Sequence, residues 1–183
     1  MKRRGVLLAC LLWLLPTLAH AQYFERTEVG ARGIGLAGAA GANTDDVSAV
    51  YWNPAALSLL ERPEVQFTHG RPYVVTDLAA NSVAAGLRLA GGGLAVSWHR
   101  LGVDEVVSED MIGVSFARWI YKDNRRVVHA GASAKLALVS FGADAGSRDF
   151  ASASRVTGAL ALLWEEQQKV RFGLVWRNVN RPT

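Results

Sequence analysis

The sequence predicts an all-β chain: a partial, antiparallel transmembrane β-barrel of about seven strands, preceded by a Gly/Ala-rich segment. Three observations predict it. From Val65 onward, apolar and non-apolar residues alternate with period two in successive runs. Several of these runs are as long as the roughly 9–11 residues a tilted strand needs to cross a bilayer, where strands of soluble proteins average about five or six. Gly, Ala and Ser crowd the face opposite the greasy one, where a solvated sheet would carry charge, and Trp98, Trp164 and Trp176 fall near run ends on the greasy face, as in an interfacial girdle. Alternation alone also fits a soluble antiparallel sandwich, which remains open on periodicity.

Residues 1–21 read as a secretory signal peptide. Lys2, Arg3 and Arg4 form a basic start, Gly5 to Leu15 is apolar, Pro16 breaks the run, and Ala19-His20-Ala21 offers a small-x-small cleavage site. The apolar part is too short for a spanning helix. Cys10 is the chain's single cysteine, and it is followed by LLWLLP, still greasy where a lipidated mature terminus would turn polar. Cleavage after Ala21 leaves 162 residues (183 − 21) and no thiol or disulfide chemistry. Without the three leader bases the formal charge of +4 falls to +1 (4 − 3), and no nucleic-acid module stands among the scattered bases that remain.

Residues 22–62 are rich in Gly and Ala and show no sustained period. Gly33, Gly35 and Gly38 spell G-x-G-x-x-G, yet Glu25 to Arg32 cannot fill the buried strand that a dinucleotide loop requires, and Asn53-Pro54 stands where its ribose acid should be. The glycines instead fit close packing of a confined segment. Asp45 and Asp46 are placed to cap a short segment, Val47–Tyr51, and Asn53-Pro54 reads as a turn.

Seven candidate strands follow, at about 64–71, 81–90, 93–101, 110–120, 127–140, 154–164 and 169–179, divided by turns such as Gly91-Gly92-Gly93 and Lys122-Asp123-Asn124. In the last run Val170, Phe172, Leu174 and Trp176 oppose Lys169, Arg171, Gly173, Val175 and Arg177. In the run before it Val156, Leu160, Leu162 and Trp164 oppose Arg155, Thr157, Ala159 and Ala161. Ile112, Val114, Phe116 and Ile120 share one face that Arg118 interrupts, so either Arg118 marks a membrane boundary or the register changes there. A spanning sheet must close, because hydrocarbon leaves no partner for an open edge. Seven is odd where bacterial single-chain barrels are even, and no terminal aromatic follows Trp176. The sequence is therefore expected to be truncated at its carboxyl end.

Other chemistry is sparse. His69, His99 and His129 stand singly in separate runs without metal-ligand spacing, so no metal site is expected. Asp104-Glu105 and Glu109-Asp110 flank a turn as solvated acids, and Ser58, Ser97 and Ser133 lack nucleophile context.

The order G-A-R-G-I-G-L-A-G-A at 30–39, then D-D-V-S-A-V-Y-W-N-P-A-A-L at 45–57, then a first strand, resembles the amino-terminal region of FadL-like outer-membrane barrels. Within that group it is most similar to the PorV/PorQ branch, whose members often carry a similar aromatic-Asn-Pro-Ala stretch. The resemblance implies a protein of a Gram-negative outer membrane, in contact with its lipid, with 22–62 as a hatch inside the lumen of the partial barrel formed by 63–183. Gly33, Gly35, Gly38, Asp45, Asp46, Asn53, Pro54 and Ala55 belong to that hatch motif. It implies passage of hydrophobic or amphiphilic small molecules, no catalysis and no cofactor. The bases Arg155, Lys169, Arg171 and Arg177, which fall on the non-greasy face, are candidate contacts for the acidic head group of a solute; balancing acids of the lumen is their alternative role. The alternative function is a PorV-like accessory barrel that binds secretion-system proteins. Family barrels carry more strands than the seven counted here.

Overall fold

The structure, a computed structural model, describes residues 29–72, 77–103, 106–142, 152–167 and 169–180. The leader expected over 1–21 lies outside the described residues, as do Asp104 and Glu105. Seven strands form one antiparallel sheet in sequence order: β1 Glu64–Gly70, β2 Leu78–Leu89, β3 Gly92–Val103, β4 Val107–Lys122, β5 Arg126–Phe141, β6 Ala153–Glu166 and β7 Val170–Trp176. Every expected run forms a strand, and together they make a half-barrel.

Strand ends depart from the expected bounds by up to three residues, and two of the departures have a visible cause. β2 begins at Leu78, because Leu78, Ala79 and Ala80 pair with Val103, Gly102 and Leu101 although they show no alternation. β7 stops at Trp176, short of 179. Asn178 has φ 51, and the chain turns back over β6, where Val179 N donates to Gly158 O at 3.0 Å.

The faces follow the alternation. Val65, Phe67, Val96, Ile112, Val114, Phe116, Val156, Leu160, Leu162, Phe172, Leu174 and Trp176 are exposed on one face, with Leu174 at 68%. Their neighbours Ala84, Ala95, Ser97, Ser115, Ala117, Ser133, Ala159 and Ala161 are buried on the other. Exposed large apolar residues arranged as a continuous face are not tolerated on an ordinary soluble surface.

At Arg118 the register holds and the alternation changes just beyond it. Arg118 pairs with Gly92 and Ala130 and points outward, whereas a β-bulge between Trp119 and Tyr121 leaves Ile120 as the extra residue. Ile120 is therefore not simply the next member of the greasy row, since a bulge breaks strict period two. Asp110 and Arg118 delimit the outward apolar stretch of β4. Their separation is roughly 26 Å along the strand, or about 20 Å across the bilayer at a tilt near 40°, close to the ~25 Å apolar band of outer-membrane barrels.

Residues 29–62 form helix α1 Ala31–Gly35, helix α2 Ala49–Trp52 and a 3-10 helix over Pro54–Leu59. Each is about a turn or two long, too short to show a helical period in the sequence. The segment lies on the inner face, and its 3-10 helix touches β2 through β6. The apolar core sits between the two: Val47, Val50, Leu57 and Leu60 meet Ala84, Ala95, Ala117 and Leu163. No helix among the described residues is long and apolar enough to cross a membrane, which says nothing about crossing by strands.

Candidate functional site

The site is the contact between residues 29–62 and the inner wall of the sheet. Its centre is Asn53, fully buried. The extended backbone that Pro54 imposes on Asn53 (φ −151, ψ 97) separates α2 from the 3-10 helix and frees the amide to work in three directions. Its Oδ1 accepts from Ala55 N at 3.0 Å, and its Nδ2 donates to Gly41 O at 2.6 Å and to Leu162 O on β6 at 3.4 Å. Pro54, at the first position of the 3-10 helix, needs no hydrogen-bond partner for its nitrogen.

Beside it, Tyr51 reaches the wall: its hydroxyl lies 2.8 Å from Val83 O and 2.9 Å from Trp98 O and donates to both carbonyls as a shared bond. The Trp52 indole donates to Val29 O at 3.0 Å, closing the segment on itself. Gly33 lies flat against that ring, where a Cβ would come 2.4 Å from Trp52 Cζ2. Gly38 takes φ 81, whereas Gly35 faces open space.

The two acids do not act as a pair of caps. Asp45 binds Arg32 Nη1 at 2.6 Å, and Asp46 lies 3.6 Å from the same nitrogen. Asp46 also accepts from Ser48 N at 2.8 Å and from the Ser48 hydroxyl. The cap position of α2 is Ser48, which makes no side-chain capping bond. Asp46 thus orders the residue before the helix, while Asp45 ties the turn back to α1.

The four bases expected on the inner wall do not form one cluster. Arg171 is held by Glu165 at 2.9 Å, and Arg177 Nη2 donates to Trp52 O at 3.3 Å. Lys169 falls in the turn before β7, exposed. Arg155 is exposed towards the opposite end, paired in register with Ala137. Lys135 joins them on the inner wall, in the row that runs Ser97, Gly113, Lys135, Thr157, and makes no ion pair or hydrogen bond among the described residues. Sequence reasoning missed it, although its place inside an otherwise small-residue face is a signal.

Also missed were inward strand glycines. A Cβ on Gly93 would stand 2.1 Å from Leu57 O, one on Gly131 would stand 2.4 Å from Ala55 N, and one on Gly173 would stand 2.5 Å from Gly41 O. Glycine inside a strand marks close approach of another backbone, and these three sat in plain view in the alternating runs.

Ser58 meets His129 across the same contact, Oγ to Nδ1 at 2.6 Å. The single Ser58 proton is donated to Ala55 O at 2.7 Å, so the imidazole carries its hydrogen on Nδ1 and donates it to Ser58. His129 therefore does not withdraw a proton from Ser58, and the pair latches the segment to β5 without the arrangement of an activated nucleophile. Buried His129 Nε2, His99 Nδ1, Ser115 Oγ and Ser133 Oγ have no protein partner among the described residues. Those residues also hold no His, Cys, Asp and Glu group arranged to bind a metal ion.

A family model described as outer membrane protein transport protein (OMPP1/FadL/TodX) matches residues 12–135, more than half of the chain. No curated protein and no solved structure matches the chain.

Proposed function

The chain belongs to the outer membrane protein transport family (OMPP1/FadL/TodX), and on that premise we propose that it admits hydrophobic or amphiphilic small molecules across the outer membrane, with residues 22–62 as a hatch in the lumen. One observation carries the reading. The sheet is apolar and exposed on one face, and on the other, lined by small and polar residues, it is covered by the segment centred on Asn53. An apolar outer face suits lipid, and a small-residue inner face suits a lumen.

The connections give the orientation. Those at 90–91, 123–125 and 167–169, at one end of the sheet, are all short, while the other end carries the two long ones, 71–77 and 142–152, beside a short one at 104–106. Barrels of this kind turn tightly on the periplasmic side and carry their longer loops outside, so the hatch enters β1 from the periplasm. Arg171 and Arg177 serve wall and hatch through Glu165 and Trp52. Arg155, with Lys135, meets the polar end of an amphiphile on the outer side of the hatch, and Lys169 stands at the periplasmic mouth.

The test is uptake of a hydrophobic fluorophore into liposomes containing the refolded chain, compared between wild type and a variant whose hatch is tethered to the wall. Ser58→Cys with His129→Cys, joined by a short bis-maleimide, provides the tether in a mature chain that has no other thiol. Uptake that falls on tethering and returns with a cleavable linker supports a moving hatch. Equal uptake through empty, untethered and tethered liposomes overturns the transport reading.

A second reading, an accessory barrel of the PorV/PorQ kind for a secretion system, rests on the stretch Tyr51-Trp52-Asn53-Pro54-Ala55. Recovery of secretion components on the immobilised barrel, with no solute uptake, would favour it.

A further inference from the structure

The periplasmic tip of the β4–β5 hairpin carries charge that its own fold does not neutralise. Between 118 and 126 stand four bases, Arg118, Lys122, Arg125 and Arg126, against one acid, Asp123, a net of +3 (4 − 1). Asp123 is fully engaged by the turn: Oδ1 accepts from Arg125 N and Arg126 N, both at 2.7 Å, and Oδ2 accepts from Tyr121 OH at 2.9 Å. Those backbone bonds hold its carboxyl below the ordinary range, so it stays an anion committed to the loop. Arg126 faces Glu166 at 3.8 Å. Arg118, Lys122 and Arg125 have no ion pair among the described residues.

Arg118 stands just inside the last outward row of the sheet, and Arg125 stands in the turn beyond that row. Arg118 points outward between Gly92 and Ala130, which leave its flanks bare, and its guanidinium lies 6.0 Å from the centre of the Trp119 ring. One row across the sheet from Tyr121 come Val128, Trp164 and Phe172, the last two stacked at 5.2 Å. The neighbouring turn is tied on by Gln167 N donating to Arg125 O at 2.7 Å and adds Lys169. The described residues of the opposite rim are balanced differently, with Arg71 and Arg100 against Asp77, Glu109 and Asp110.

We propose that the β4–β5 tip, with Arg118 and Arg125, is a binding site for the phosphate head group of an anionic glycerophospholipid in the periplasmic leaflet. The acyl chains would lie on the outward row of Leu94, Phe116 and Leu160, on the far side of Arg118 from the turn. A lipid fits better than a periplasmic protein because charge, interfacial aromatics and apolar face are continuous along one strand pair. The inference rests on the membrane orientation given above and not on what the lumen admits.

The test is native mass spectrometry of the full chain refolded in detergent and doped with phosphatidylglycerol or phosphatidylcholine. Each cation near an anionic surface is worth roughly a fivefold factor in affinity. Arg118→Gln with Arg125→Gln should therefore reduce retention of phosphatidylglycerol by tenfold or more, leave phosphatidylcholine unchanged, and act with the same sign in the single exposed-turn variant Arg125→Gln. Arg71→Gln with Arg100→Gln, at the other rim, should change little. Heat-modifiable migration on gels confirms that each variant is folded. Unchanged retention in the double and single variants overturns the proposal. So does an equal loss from the opposite rim, or competition by lipopolysaccharide alone. Because the readout is retained lipid, loss of solute uptake neither mimics nor masks the result.

Discussion

The backbone nitrogen of Ala55 sits over Gly131 so closely that a Cβ on Gly131 would lie 2.4 Å from it, with Ala55 Cα and Pro54 C both at 2.6 Å. All three obstructing atoms are backbone, so nothing can rotate away. Residues 29–62 are seated on the sheet by contact of main chain on main chain, with side chains such as Leu57 and Leu60 filling the remainder.

Gly131→Ala should therefore lower stability by about 1–3 kcal/mol, the range for overpacking a well-filled contact. It should also expose residues 29–62 to protease. Gly35→Ala is the matched control: Gly35 ends α1 in open space, and alanine there should be neutral or slightly stabilising. Urea midpoints and the cleavage pattern check both. Equal midpoints for the two variants would contradict the seating.

Asn53 makes a sharper demand, because it both donates and accepts. Asn53→Ala leaves Ala55 N and Gly41 O without their partner and should cost about 1–3 kcal/mol. Asn53→Asp keeps the acceptor for Ala55 N but sets a carboxylate against the Gly41 carbonyl in a site closed to water, so it should cost at least as much. If the aspartate variant unfolded at the wild-type midpoint, the donated bonds would be unimportant.

How far this was legible in the sequence depends on what kind of signal each part leaves. The strands were legible because inside and outside alternate residue by residue, and Val156 to Trp164 shows it without help. The bulge at Ile120 was felt only as the misplaced Arg118, since one extra residue leaves no other trace in a period-two pattern. Asn53-Pro54 was legible as a turn, yet its bonds to Gly41 and Leu162 span distances no local pattern reports. Asp45 and Asp46 looked like interchangeable caps; only the position of Arg32 in space separated them. Nothing in the alternation singles out Gly93, Gly131 and Gly173 among the small residues of the inner face, because close approach is a property of the segment laid over them.

Tyr51 gives stability a dependence on alkaline pH. Burial raises its phenol pKa above the ordinary 10.0, so the unfolded chain ionises first. Its contribution is fully present below pH 10, and it is lost as pH rises from there through the higher folded value. Tyr51→Phe should cost about 1 kcal/mol at neutral pH, from the bond shared by Val83 O and Trp98 O. The variant should also show a shallower loss of stability between pH 9 and 11 than wild type. Urea unfolding across that range checks it, and parallel curves would remove Tyr51 from the account.

Leu160 and Ser154 lie on the same outward face of β6, opposite Ala132 and Leu138 respectively, one in the middle of the apolar stretch and one near its outer end. In a bilayer a cation on that face costs about 2–4 kcal/mol at mid-depth and about 0–1 near the interface. Leu160→Lys should therefore impair folding into phospholipid vesicles strongly, and Ser154→Lys hardly at all, as followed by heat-modifiable migration and urea midpoints. On a water-facing sheet the order would vanish, because exposed substitutions there stay within about 0.5 kcal/mol of neutral. Leu160 is 51% exposed, so packing alone cannot reproduce a large penalty; only hydrocarbon around that face can. Equal behaviour of the two lysine variants would thus place β6 in water and end the barrel reading.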